Sequence, residues 1–181
     1  LDLPVHLAPA VFAQARREAE RQARQRRSDA RRTELLSSGE PPSAIEIAAD
    51  PDVAAPECTL DEIWSLMPLG WVDPATGIAA ELELEARALR PIPETIALFR
   101  TAQRLNVPVV LVSDIYLTGP QLMTVLERAG IDMGLIDSVV TSADHRLGKA
   151  HGLLAFVIAD HGVEAGRVVH VGDNEVADVA T

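Results

Sequence analysis

Val107-Pro108-Val109-Val110-Leu111-Val112-Ser113-Asp114 is the stretch on which the fold turns. From Val107 to Val112 it is almost continuously apolar and rich in valine. A half-buried strand would alternate apolar and polar residues, so this run predicts a short strand covered on both faces, as in a parallel sheet. The residues after it keep to that plan. Pro120 to Ala129 reads as a helix with Leu122, Val125 and Leu126 apolar, stopped by Gly130. Ser138 to Thr141 reads as a second strand, Ala150 to Asp160 as a second helix, and Arg167 to Val171 as a third strand. Strands separated by single helices imply right-handed crossovers and layered α/β architecture.

Each predicted strand ends in, or soon reaches, a polar group. The first ends in Ser113-Asp114, and the second runs on through Thr141-Ser142-Ala143-Asp144 to Gly148-Lys149. The third ends in His170-Val171-Gly172-Asp173-Asn174, with Asp178 beyond. Ligands of doubly wound sheets bind past the carboxyl ends of the strands, so these groups are expected to gather at one edge. Ser113 offers a hydroxyl to a phosphoryl oxygen, helped by nearby backbone N–H groups. Lys149 is expected to open a helix, where an anion between its ammonium and the positive helix end would resolve an unfavourable placement. Asp173 and Asp178 are hard oxygen donors suited to magnesium. Gly172 permits a sharp turn from strand into the acidic loop.

The half of the chain before this region reads as helical. Pro9 suits a first helical turn, and Ala10 to Leu36 is rich in good helix formers. Phe12, Ala15, Ala19 and Ala23 form a narrow stripe suited to close helix packing. Residues 37–57 read as an irregular connection. Thr59 and Glu62 form a capping-box pattern opening a short helix with Ile63, Leu66 and Met67 on one side. A turn-rich loop, Pro68 to Gly77, carries Trp71 and is a candidate pocket wall. Helices follow at about Ile78–Leu89 and Pro93–Leu105.

Composition narrows the function classes. The net charge is −11, with +3 over residues 1–35 and −14 over the remainder, so the acidic body argues against general nucleic-acid binding. The arginines from Arg16 to Arg32 are interspersed with acids and lack aromatic neighbours, which favours a solvated helix face over an RNA-binding arm. No apolar run approaches the roughly 20 residues of a membrane span. One cysteine, Cys58, excludes an internal disulfide framework and makes the cytoplasm the expected location. Lys149 is the only lysine among sixteen basic residues.

Three of these segments resemble the haloacid dehalogenase superfamily of hydrolases. Val112-Ser113-Asp114-Ile115-Tyr116-Leu117 looks like its second motif, in the SDxYL form of a predicted-hydrolase branch often found with glycosyltransferase domains. Lys149-Ala150-His151-Gly152-Leu153-Leu154 is similar to the lysine motif, and His170 to Val179 resembles the acidic GDxxxxD motif. Thr59 to Trp64 and Glu81 to Glu85 look like the helical region of that branch. The resemblance implies a Rossmann-like three-layer parallel sheet with an inserted helical cap. The division would be residues 1–92 as mainly helical cap region and 93–181 as partial core.

It also implies an aspartyl-phosphate mechanism assisted by Mg²⁺ on a small phosphorylated metabolite, such as a sugar phosphate. Ser113, Asp114 and Lys149 would bind the phosphoryl group, with Ser113 and Lys149 catalytic; Asp173 and Asp178 would serve the metal. The expected partners are that substrate and a fused or associated glycosyltransferase domain, with neither nucleic acid nor membrane. The superfamily's first motif, DxDxT after an apolar strand, has no counterpart here, since Asp50-Pro51-Asp52 is the only Asp-x-Asp. The nucleophile-bearing strand is therefore expected before Leu1. The chain alone, with an incomplete sheet, would be poorly stable and inactive. Two other classes stay open: a non-catalytic module of the same fold, and an unrelated doubly wound nucleotide binder, the latter without a Gly-x-Gly-x-x-Gly loop. His145, His151 and His170 are read as structural.

Overall fold

The computed structural model describes residues 8–38, 57–68 and 70–172. The chain begins with a long helix, α1 (Pro9–Ser38), in which Pro9 occupies the first turn. Ion pairs Arg16–Glu20 and Arg24–Glu20, four residues apart, reinforce it. Its alanine stripe does what small residues allow. Ala19 and Ala23 are buried, and α2 (Leu60–Trp64) packs directly against them. Phe12 meets Trp64 with ring centroids 6.1 Å apart.

The capping box at α2 forms as the sequence predicts. The Thr59 N–H donates to Glu62 Oε2 at 2.8 Å, and the Glu62 N–H donates to Thr59 Oγ1 at 3.2 Å. Helix α3 (Pro74–Ala88) starts earlier than expected because Asp73 caps it, accepting the Thr76 N–H at 3.0 Å. Trp64 lies 1% exposed over α3 and donates its indole N–H to Glu81 Oε2 at 2.8 Å. Helix α4 (Pro93–Arg104) buries none of its residues, and Leu98 stays 52% exposed.

Strands β1 (Val110–Ser113) and β2 (Ser138–Thr141) pair in parallel, with Val110 opposite Ser138 and Ser113 opposite Thr141. Helix α5 (Gly119–Arg128) makes the crossover between them and packs on β2 and α3. One hydrophobic cluster thus joins Ala19, Leu60, Ile63, Trp64 and Ala86 to Leu117, Leu122, Val125 and Leu126. Cys58 lies within it, and burial pushes its thiol up to about 11. A short helix α6 (Ser142–His145), α7 (Leu153–Asp160) and three 3-10 turns (Met133–Leu135, Lys149–His151 and Ala165–Arg167) complete the described elements.

Two expectations are corrected. Arg167 to Val171 is not a strand, and the sheet has two strands among the described residues. The residues are sequence-competent for a strand, but extended backbone becomes a strand only by pairing. Here Val169 and Val171 are 88% and 69% exposed, with no ladder partner among the described residues. The helix read over Ala150 to Asp160 is divided at Gly152, whose φ of 110° suits glycine and not a continuing helix. None of the described helices is long and apolar enough to cross a membrane.

The arginines of α1 divide by role. Arg21 and Arg31 pair with acids of the same helix on its solvated side. Arg16, besides pairing with Glu20, reaches Glu81 of α3 through two hydrogen bonds, at 2.6 and 3.0 Å, and its guanidinium lies 5.0 Å from the Tyr116 ring centroid. Arg24 approaches Glu57 at 3.9 Å, and Arg27 approaches Glu62 at 3.9 Å.

Candidate active site

The two strands end side by side, and their following loops fold together. Ser113, the last residue of β1, is half-buried, and Asp114 is exposed. Asp114 Oδ1 accepts the Lys149 backbone N–H at 2.8 Å, which ties the lysine turn to the end of β1. Asp114 therefore spends a carboxylate oxygen on positioning Lys149. Lys149 opens a three-residue 3-10 turn and not an α-helix, so the full macrodipole invoked from the sequence is not developed there. The neighbouring Gly148 is needed for closeness. A Cβ on it would lie 3.3 Å from His151 Nδ1, 3.4 Å from Glu57 Oε1 and 3.8 Å from Asp114 Oδ1.

The loop after β1 is held from two sides. On one, the Ile115 N–H donates to Ser142 Oγ at 3.0 Å, and Ser142 is fully buried. On the other, the Leu60 N–H donates to the Tyr116 carbonyl at 2.8 Å, and the Tyr116 hydroxyl donates to Glu85 at 2.9 Å. Burial pushes the Tyr116 pKa up, and the charges of Glu81 and Glu85 push it further. Leu117, 1% exposed, anchors the loop's end in the core. At the far side of β2, Asp144 Oδ2 accepts the Gly119 N–H at 2.7 Å and caps the first turn of α5.

Sequence reading missed three participants. Glu57, 8% exposed, accepts the Ser142 hydroxyl at 2.9 Å through Oε2. Arg146 donates to the Glu57 carbonyl at 3.2 Å and grips Glu62 with two hydrogen bonds, at 2.7 and 3.0 Å. Ser142 lay within the quoted strand-end segment, but its hydroxyl had no visible partner there. Glu57 sits at the edge of a loop-like stretch, and no local pattern distinguishes it.

Glu62 serves its own helix cap and Arg146 together. Burial pushes its carboxyl up, but the Arg146 and Thr59 hydrogen bonds and the charges of Arg146 and Arg27 outweigh this and hold it below the usual carboxylate range. The folded pKa is depressed, so the resulting stability is present above the unfolded value of about 4.3 and is lost as pH falls through the folded value. Stability measured from pH 6 downwards should therefore fall more steeply in the wild type than in Glu62→Gln. Parallel curves would show that Glu62 contributes no linkage.

The expected metal carboxylates, Asp173 and Asp178, lie outside the described residues. Among the described residues no group of three His, Cys, Asp or Glu could hold a metal ion. His145 packs against Phe156 with ring centroids 4.5 Å apart and planes tilted by 45°, while His151 packs beside Gly148. The Trp71 loop borders a cleft of about 370 Å³ with Trp64, Met67 and Asp73 on its walls.

The arrangement places a hydroxyl, a lysine and a positioned carboxylate at one edge of a parallel sheet. A family model described as a haloacid dehalogenase-like hydrolase matches residues 71–181. No curated protein matches the chain.

Proposed function

This chain belongs to the haloacid dehalogenase-like hydrolases, and on that premise we propose that its full-length protein is a Mg²⁺-dependent phosphohydrolase. The substrate would be a small phosphorylated metabolite, with a sugar phosphate favoured by the branch that the motifs resemble. Hydrolysis would run through an aspartyl-phosphate, and no residue of this chain is assigned the nucleophile's role. The observation that most supports the reading is the Asp114–Lys149 hydrogen bond, which draws the lysine turn to the end of β1 beside Ser113.

In this reading Ser113 donates its hydroxyl to a phosphoryl oxygen. Lys149 offsets negative charge on the transferring group, where an oriented cation acts without reorganisation. The Asp114 carboxylate holds the lysine turn in place, and its backbone N–H belongs to the phosphate-binding group. Asp173 and Asp178 have the donor chemistry that magnesium prefers and would hold it. When bound, the ion would supply Lewis-acid charge neutralisation. A fused or associated glycosyltransferase domain belongs to the same proposal, and rests on the branch resemblance alone.

The test is hydrolysis of p-nitrophenyl phosphate and a panel of sugar phosphates by the full-length protein. Turnover is expected with Mg²⁺ present and is expected to disappear with EDTA, returning when excess Mg²⁺ is added. Turnover indifferent to EDTA would exclude the metal-dependent mechanism. A complete lack of turnover across the panel would leave no support for a hydrolase of this substrate class.

A further inference from the structure

We propose that Glu57 is a positioning residue for the phosphate-binding edge, acting through the hydroxyl of Ser142 on the loop that carries Ser113 and Asp114. The inference rests on the phosphohydrolase reading of that edge. Glu57 belongs to none of the three motif segments, yet it is buried, with its carboxylate against Ser142 and beside Gly148. Oε2 accepts the Ser142 hydroxyl at 2.9 Å. A hydroxyl has one proton, so donation to this carboxylate leaves the oxygen's lone pairs to accept the Ile115 N–H, at 3.0 Å. The Ile115 carbonyl, 3.3 Å from the same hydroxyl, is the longer and uncharged alternative.

The order of contacts gives the mechanism. Glu57 orients Ser142, Ser142 fixes the peptide between Asp114 and Ile115, and Asp114 holds the Lys149 N–H. The second oxygen, Oε1, lies 3.4 Å from where a Gly148 Cβ would stand, so the same carboxylate borders the lysine turn directly. Arg24 of α1 approaches Oε2 at 3.9 Å, and Arg146 holds the Glu57 carbonyl. The helical half thereby reaches both phosphate-binding loops through one side chain.

The experiment uses the full-length protein with inorganic phosphate as the probe, read as its inhibition constant against p-nitrophenyl phosphate alongside kcat and Tm. Glu57→Ala and Ser142→Ala are each expected to weaken phosphate inhibition about tenfold, the loss of one charge-assisted hydrogen bond. The double variant is expected to lose no more than either single one, because both break the same chain of contacts. Glu57→Gln keeps an oxygen that accepts the Ser142 hydroxyl and is expected to recover most of the loss. A purely structural role would lower Tm without this pattern in the phosphate constant. Multiplying losses in the double variant would overturn the proposal, as would a Glu57→Gln loss equal to that of Glu57→Ala. Lys149→Ala separates the two levels of inference. If it abolishes phosphate inhibition while Glu57→Ala and Glu57→Gln leave it intact, the positioning role fails and the phosphohydrolase reading stands. If Lys149→Ala leaves phosphate inhibition intact, the reading of the edge fails and takes the positioning role with it.

Discussion

Lys149→Ala in the full-length protein is expected to lower kcat for p-nitrophenyl phosphate by about 10²–10³-fold, the usual loss when one preorganised charge-stabilising donor is removed. Lys149→Arg is expected to restore little of it. An ammonium is a compact point charge, whereas a guanidinium is planar and wider. The turn has little freedom to shift: its amide is pinned to Asp114, and a Cβ on the buried Gly148 beside it would already lie 3.3 Å from His151 and 3.4 Å from Glu57. A larger cation cannot re-centre itself by moving this turn without breaking that hydrogen bond. Measurement of kcat and KM for both variants decides the matter. Near-normal turnover in the arginine variant would show that Lys149 needs only to be positive, and the role assigned to its shape would be wrong.

Gly77→Ala is expected to destabilise the fold, although helix propensity alone would argue for the opposite. Gly77 lies inside α3, where replacing glycine by alanine ordinarily gains about 1 kcal/mol. Its absent Cβ is the space that Trp64 occupies. A methyl group there would lie 2.1 to 2.4 Å from three carbons of the indole ring. Trp64 has nowhere to go, since it is 1% exposed, meets Phe12 and donates its N–H to Glu81. Overpacking of a core costs roughly 1–3 kcal/mol and occasionally more. A contact as close as 2.1 Å puts the cost at the upper end, about 3 kcal/mol, and the propensity gain of about 1 kcal/mol leaves an expected net loss of about 2 kcal/mol. In a chain of this size that corresponds to a fall in Tm of roughly 4–8 °C, measurable by calorimetry. A rise in Tm would show that the indole yields easily.

What could be read from the sequence was what local chemistry determines. Thr59 and Glu62 form their capping box because both bonds lie within one turn. The Ala19–Ala23 stripe predicts a close helix contact because only small side chains let backbones approach so nearly. Ser138 to Thr141 forms the second strand over the expected span because β1 pairs with it along its whole length. Arg167 to Val171 is no poorer in β-forming residues, yet its state depends on a neighbouring strand and not on composition. At the site, Ser113, Asp114 and Lys149 could be picked out because each follows a predicted strand. Glu57 could not, since its role comes from meeting Ser142, 85 residues further along the chain. The start of α3 was missed because Asp73 caps it from inside what reads as a turn-rich loop.

That long-range meeting bears on how the chain can be divided. The Ser113–Lys149 region spans fewer than forty residues and would look, by motif alone, like a transferable cassette. Its supports come from elsewhere. Leu60 holds the Tyr116 carbonyl, Glu57 holds Ser142, and Glu62 holds Arg146. Excising residues 93–172 would keep the motif-like residues of β1 and the lysine turn while stripping those three contacts away. It would also uncover Leu117, Val125 and Leu126, which share their core with Leu60, Ile63 and Trp64. Recombination that exchanged the helical half for an unrelated one would carry the chemistry across without its frame. The unit that can be inherited, swapped or redesigned intact therefore has to include the segment beginning at Glu57.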